Sequence, residues 1–168
     1  MEKRSTSESI VLRKGERDFV VERTFDAPKA LVFKAFTRPE HVARWWAPGG
    51  YTIPVCKIDL RPGGLWHYCM RSPEGQDQWV RAVYREIVEP DRIVYVITFA
   101  DEEGNPTEEI PEQEGTITFD DYAGKTKVSI RIMLGTAEEL KWTLEMGMVE
   151  GMTETLGNLA KLLNEIES

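Results

Sequence analysis

Apolar residues recur every second position through most of Tyr51 to Leu134, and at spacings of three and four on either side of that stretch. The chain therefore reads as a β-rich middle flanked by helices. A first strand precedes them at Arg17 to Phe25, where Phe19, Val20, Val21, Thr24 and Phe25 follow a charged lead-in. Asp26 and Pro28 then suit a helix start, which predicts a helix over Pro28 to Thr37 with Leu31, Val32, Ala35 and Phe36 on its buried side. Pro39 opens a second short helix that aligns Val42, Trp45 and Trp46 on one face until Pro48 and two glycines stop it.

Six strands are expected next: Tyr51 to Leu60, Leu65 to Arg71, Trp79 to Val88, Arg92 to Ala100, Gly115 to Tyr122 and Lys125 to Leu134. Their connectors are mostly short and turn-like, so neighbours must run antiparallel, as a meander. The exception is Asp101 to Glu114, rich in acid, glycine and proline, which reads as an exposed, mobile loop. Thr136 to Glu139 has capping-box spacing, in which hydroxyl and carboxylate each take an amide at a helix start. One long helix is expected from there. Its apolar stripe runs through Leu144, Met148, Met152, Thr155, Leu156, Leu159, Leu163 and Ile166, with Gly147 and Gly151 removing bulk from adjacent turns.

The hairpin at Asp59 to Met70 carries the most local information. Pro62, Gly63 and Gly64 allow the chain to reverse over Arg61 to Gly64, which would set Leu60 against Leu65, Ile58 against His67 and Cys56 against Cys69. On that register Cys56, His67 and Cys69 share a face and form a candidate start for a zinc or copper site. The favoured reading takes both cysteines as small apolar fillers, with no metal and no cofactor.

A chain of 168 residues can bury about 70% of its unfolded surface in one core. Residues 1–16 are expected to be a flexible lead-in and residues 17–168 a single domain. No apolar run approaches the roughly 18 residues of a membrane span. The opening MEKRSTSES shows no secretory pattern, and a cytoplasmic location is expected. A net charge of -8 without a local lysine or arginine run argues against nucleic acid as a partner. Two cysteines are too few for a disulfide framework.

The element order, one strand, two helices, six strands and a terminal amphipathic helix, is that of the α+β helix-grip fold. The chain resembles the START-like (SRPBCC) superfamily and, within it, the group similar to the C-terminal domain of the heat-shock-protein-90 ATPase activator. The resemblance rests on FDAPKALVFKAFTRPEHVARWW at Phe25 to Trp46, DLRPGG at Asp59 to Gly64, REIVEPDRIVY at Arg85 to Tyr95 and EGMTETLGNLAKLL at Glu150 to Leu163. It implies a curved antiparallel sheet wrapped around the last helix with a cavity between them. The family commonly has tryptophan after the helix glycine, where this chain has Met152, a change that would enlarge or soften the pocket.

The aromatic and methionine set supplies the candidate lining of that cavity: Trp45, Trp46, Trp66, Tyr68, Met70, Trp79, Tyr84, Tyr95, Met148, Met152 and Leu156. Indole N–H, phenol O–H and thioether sulfur give such pockets their few polar or adaptable contacts. Acidic residues such as Asp59, Glu86, Glu145, Glu150 and Glu154 read as surface charge, and no phosphate loop, nucleophile elbow or HExxH is present. The resemblance implies three functional classes. The first is binding of a small lipophilic or aromatic molecule, without evident chemistry. The second is an interaction module acting on a chaperone, and the third is an enzyme of the polyketide cyclase or aromatase kind. The protein is expected to be a monomer or homodimer.

Overall fold

A computed structural model describes residues 11–166. Eight strands form one antiparallel sheet: β1 Val11–Lys14, β2 Asp18–Phe25, β3 Thr52–Ile58, β4 Leu65–Arg71, β5 Asp77–Val88, β6 Arg92–Ala100, β7 Gln113–Tyr122 and β8 Lys125–Met133. Their spatial order is β1-β2-β8-β7-β6-β5-β4-β3, so β3 to β8 make the expected meander and β2 closes onto its last strand. Helices α1 Lys29–Thr37 and α2 Pro39–Trp45 link β2 to β3, while α3 Ala137–Glu145 and α4 Met148–Glu165 follow β8. This is the α+β helix-grip architecture. Register shifts between Thr52 and Val55 and between Tyr84 and Glu86 interrupt the ladder, and such bulges bend a sheet.

Packing of α1 and α2 on the sheet is aromatic. Phe36 meets Trp45 and Phe119 edge to face at centroid distances of 4.7 and 5.2 Å, and Phe33 meets Phe119 at 5.4 Å. Trp45 Nε1 donates to the Ala35 carbonyl at 2.8 Å, so the two helices are joined by a satisfied buried indole. Pro28, rather than the side chain of Asp26, stands at the N-cap of α1, with no side-chain cap hydrogen bond. Phe33 is buried on this helix while Leu31 is only partly so.

Strand β1 lies inside the segment expected to be a flexible lead-in; residues 1–10 are outside the described part. It is held by pairing with β2 and by an ion pair from Arg13 to Glu22, a carboxylate kept below its usual range by that hydrogen bond. The segment after β6 is also more ordered in its contacts than its composition predicts. Asp101 accepts from the Asn105 amide at 2.8 Å, and His67 Nε2 donates to the Asp101 carbonyl at 3.0 Å. Arg81 donates to the Gly104 carbonyl at 2.9 Å, and Gly104 is buried beside Leu65 and His67. The loop thus covers one patch of the sheet's outer face, and Gln113 and Glu114 already belong to β7.

The single terminal helix of the sequence reading is two helices. Thr136 Oγ1 accepts from the Glu139 amide and the Glu139 carboxylate accepts from the Gly135 amide, each at 3.0 Å, so the cap forms as the spacing predicts. The stripe nevertheless breaks at Gly147, whose φ of 93° is left-handed. A helix cannot pass through that conformation, and a Cβ there would be strained.

The hairpin register also differs by one residue from the sequence expectation. Ile58 pairs with Trp66, Lys57 with His67, Cys56 with Tyr68 and Val55 with Cys69. The cause lies in the turn. The Gly63 amide donates to the Tyr84 carbonyl at 2.7 Å and the Tyr84 amide to the Gly64 carbonyl at 3.0 Å, so β5 holds the two glycines. The Asp59 amide bonds the Leu65 carbonyl at 3.0 Å, and Leu60 leaves the ladder for solvent. Residues 59–64 therefore all serve the reversal. Gly63 takes the positive φ, whereas Gly64 is required because a Cβ would overlap the Asp59 carbonyl.

A one-residue slip exchanges the faces. Cys56 shares the inner face with Trp66 and Tyr68, while His67 and Cys69 lie on the outer face, so the proposed metal trio is split. Among the described residues no three His, Cys, Asp or Glu side chains gather into a metal-binding group.

Two outcomes follow from the joint and the register. Gly147→Ala should lower stability by about 1–2 kcal/mol in urea unfolding, the cost of a left-handed backbone for an L-residue; an unchanged midpoint would remove the joint. Burial pushes the Cys56 thiol up to about 11. Its alkylation by iodoacetamide, mapped by peptide mass spectrometry, should therefore be slow at pH 7 and rise about tenfold per pH unit towards pH 10. A plateau reached by pH 8 would contradict this environment.

Candidate functional site

Between the inner face of the sheet and the α3–α4 pair lies a cavity of about 480 Å³. Its floor is Tyr68 and Met70 of β4, Val80 of β5, Tyr95, Ile97 and Phe99 of β6, Gln113 of β7 and Ile130 and Ile132 of β8. Trp45, Trp46 and Pro48 wall one side at the end of α2. Trp142, Thr143 and Met146 of α3, Gly147, and Met148, Gly151, Met152, Thr155 and Leu156 of α4 form the roof. Trp142 and Met146 are 41% and 67% exposed, which places them at the cavity's contact with solvent.

Two glycines make this space possible in different ways. Gly151 has nothing within 4 Å of where a Cβ would stand, so α4 presents bare backbone to the cavity. Gly115 is opposite Tyr95 in the β6–β7 ladder, and a Cβ there would overlap the tyrosine ring. The phenol can therefore lie flat across β7. An aromatic chain connects the wall to the floor: Trp45 to Trp46 at 5.2 Å, Trp46 to Trp66 at 4.8 Å, Trp66 to Tyr68 at 5.0 Å and Trp66 to Tyr95 at 6.2 Å. Trp46 Nε1 donates to Tyr68 Oη at 2.8 Å, which ties α2 to β4 at the cavity edge.

Among the described residues the lining contains no Asp, Glu, His, Lys, Arg or Cys. Its polar atoms belong to tyrosine, threonine, glutamine and tryptophan. Burial pushes the phenols of Tyr68 and Tyr95 well above the ordinary tyrosine value, so both are neutral donors at any physiological pH. The chemistry such a surface can perform is shape recognition, dispersion contact and hydrogen bonding to uncharged groups.

Of the residues expected in the lining, Trp45, Trp46, Tyr68, Met70, Tyr95, Met148, Met152 and Leu156 stand on the cavity wall. Trp66 and Tyr84 point to the same side but are buried behind it, Trp66 stacked on Tyr68 and Tyr84 paired with Tyr95. Trp79 must be withdrawn from the set. It pairs with Cys69 on the outer face, where its ring lies 4.8 Å from that of His67. Sequence reasoning missed Gln113, Thr143, Trp142 and Met146. Gln113 could have been found by extending the period-two pattern of Ile117 and Gly115 one step back, whereas Thr143 faces inward only because the helix breaks at Gly147.

No described helix is long and apolar enough to cross a membrane. The chain is similar in structure to a protein of Staphylococcus epidermidis at 29% identity and a TM-score of 0.83, over 94% of this chain and 95% of that one. It is likewise similar to a protein of Arthrobacter aurescens at 26% identity and a TM-score of 0.84, over 92% and 91% of the two chains. A protein of Mycobacterium smegmatis matches at 25% identity and a TM-score of 0.83, over 92% and 97%. No curated protein matches the chain. The model of one family covers residues 26–164, which spans α1, α2, the floor strands, α3 and nearly all of α4. The chain belongs to that family, the activator of Hsp90 ATPase homolog 1-like proteins.

Proposed function

We propose that this protein binds a small lipophilic or aromatic molecule in the cavity between the sheet and the α3–α4 pair. The observation that carries the reading is an interior of about 480 Å³ left open beneath Gly151, within the size range of small-molecule sites. Apolar walls make occupation by a lipophilic molecule favourable, since each apolar Å² withdrawn from water contributes about 25 cal/mol. Trp46 and Tyr68 on one side and Met148 and Met152 on the other offer aromatic stacking and adaptable sulfur contacts.

The family is described by its likeness to an activator of the Hsp90 ATPase, and a chaperone-facing role is the second reading on that ground alone. Catalysis of the cyclase kind would call for a mutually aimed acid and base, and a lining that among the described residues has no carboxylate, imidazole or amine supports binding over proton transfer.

Titration with the uncharged fluorophore N-phenyl-1-naphthylamine should give saturable, blue-shifted emission. Gly151→Leu should abolish it by filling the space, with the melting temperature unchanged or raised because a helical glycine is replaced at a position where a Cβ meets nothing within 4 Å. Equal binding by the stable leucine variant would overturn the assignment of the site.

A further inference from the structure

Three neutral polar groups on the cavity wall come from three different elements: Tyr95 on β6, Gln113 on β7 and Thr143 on α3. All three residues are almost fully buried, at 2%, 6% and 2% exposure. Thr143 Oγ1 has no hydrogen-bond partner among the described residues. That is unusual for a threonine on a helix, where the hydroxyl can turn back to a carbonyl of the preceding turn, as Thr37 and Thr153 do in this chain. The Tyr95 phenol and the Gln113 amide belong to residues that line the same cavity.

The sheet brings two of them together. Tyr95 lies over Gly115, and Gln113 stands on the same face of β7 two residues from Gly115, about 7 Å along the strand. A purely apolar interior would have valine in place of Thr143 at no loss, because a buried group without a partner costs more than its absence. Buried hydroxyl and amide groups are kept neutral and open to the same space, where a ligand atom can satisfy them.

We propose that the cavity recognises an uncharged aromatic or lipophilic molecule through one oxygen function, a carbonyl or hydroxyl, hydrogen-bonded by Tyr95, Gln113 and Thr143. This deepens the carrier reading and rests on it. The same wall discriminates against acids and amines. Among the described residues no charged side chain lines the cavity to pair with a carboxylate or an ammonium group, and burying either unpaired is far costlier than burying a ketone with its hydrogen bonds made.

The test is a matched series on one ring system: 2-acetylnaphthalene, 2-ethylnaphthalene and 2-naphthoate, titrated at pH 7 by quenching of the protein's tryptophan emission. The ketone should bind about tenfold more tightly than the hydrocarbon, the effect of one or two satisfied buried hydrogen bonds, and the carboxylate most weakly. Thr143→Val and Tyr95→Phe should each shrink the ketone-to-hydrocarbon ratio while leaving the hydrocarbon's affinity within about twofold. Thr143→Val should also raise the melting temperature of the free protein, since an unsatisfied hydroxyl is removed without changing volume. If ketone and hydrocarbon bind equally, or the ratio survives both substitutions, the polar recognition is wrong while the carrier reading stands. If the naphthoate binds best, the exclusion of charge is overturned. If none of the three binds, the carrier reading itself fails.

Discussion

Two hydrogen bonds between the Gly63–Gly64 turn and Tyr84 determine which side chains the sheet offers to its interior. They attach the β3–β4 reversal to β5 rather than letting it close on itself, and they set the pairing Ile58 to Trp66 and Cys56 to Tyr68. With side chains alternating strictly, that choice sends Trp66, Tyr68 and Met70 inward and His67 and Cys69 outward. The outer residues are then covered by the loop that starts at Asp101, through contacts of its carbonyls with His67 and Arg81. One turn thus governs both the aromatic floor of the cavity and the protected patch on the opposite face.

The roof of the cavity changes direction. At Gly147 the backbone turns left-handed, so α3 and α4 meet the sheet as two short bodies instead of one continuous rod. Leu156, Leu159, Leu162 and Leu163 of α4 are buried in the core, while the first turn of the same helix has Gly151 open to empty volume. The packed end anchors the helix. Asn158 Nδ2 donating to the Ala47 carbonyl at 3.2 Å and the Arg44–Glu165 ion pair bind it to α2. Rigid attachment at one end allows the other to stand off the sheet without collapse, at the expense of the stability that a filled interior would have added.

The electrostatic character of the interior follows from the same burial. Ion pairs such as Lys29 with Asp91 and Arg131 with Asp18 lie away from the cavity, whose lining among the described residues holds only neutral donors and acceptors. Phenols held above their ordinary range stay neutral rather than ionising to meet a cation, and among the described residues no cationic side chain lines the cavity to meet an anion. Family membership is consistent with several kinds of ligand or partner. The uncharged, partly hydrogen-bonding lining narrows which of them suits this chain.

Much of this was legible in the chain because it depends on local pattern. Period two over Tyr51 to Leu134 and the prolines at 28 and 39 identified the strands and the first helices, and Thr136 and Glu139 identified a cap that forms as their chemistry requires. Aromatic residues on one strand, Trp66 and Tyr68, were recognisable as inward-facing together because alternation is a property of the strand alone. Which side Cys56 or Trp79 takes is not. It depends on how neighbouring strands align, and that alignment came from a turn held by β5, a contact between residues some twenty positions apart. Likewise the stripe from Leu144 to Ile166 looks continuous in sequence. Only the packed structure shows that Gly147 adopts a conformation no helix can continue through, and that open volume lies beneath Gly151 one turn further on.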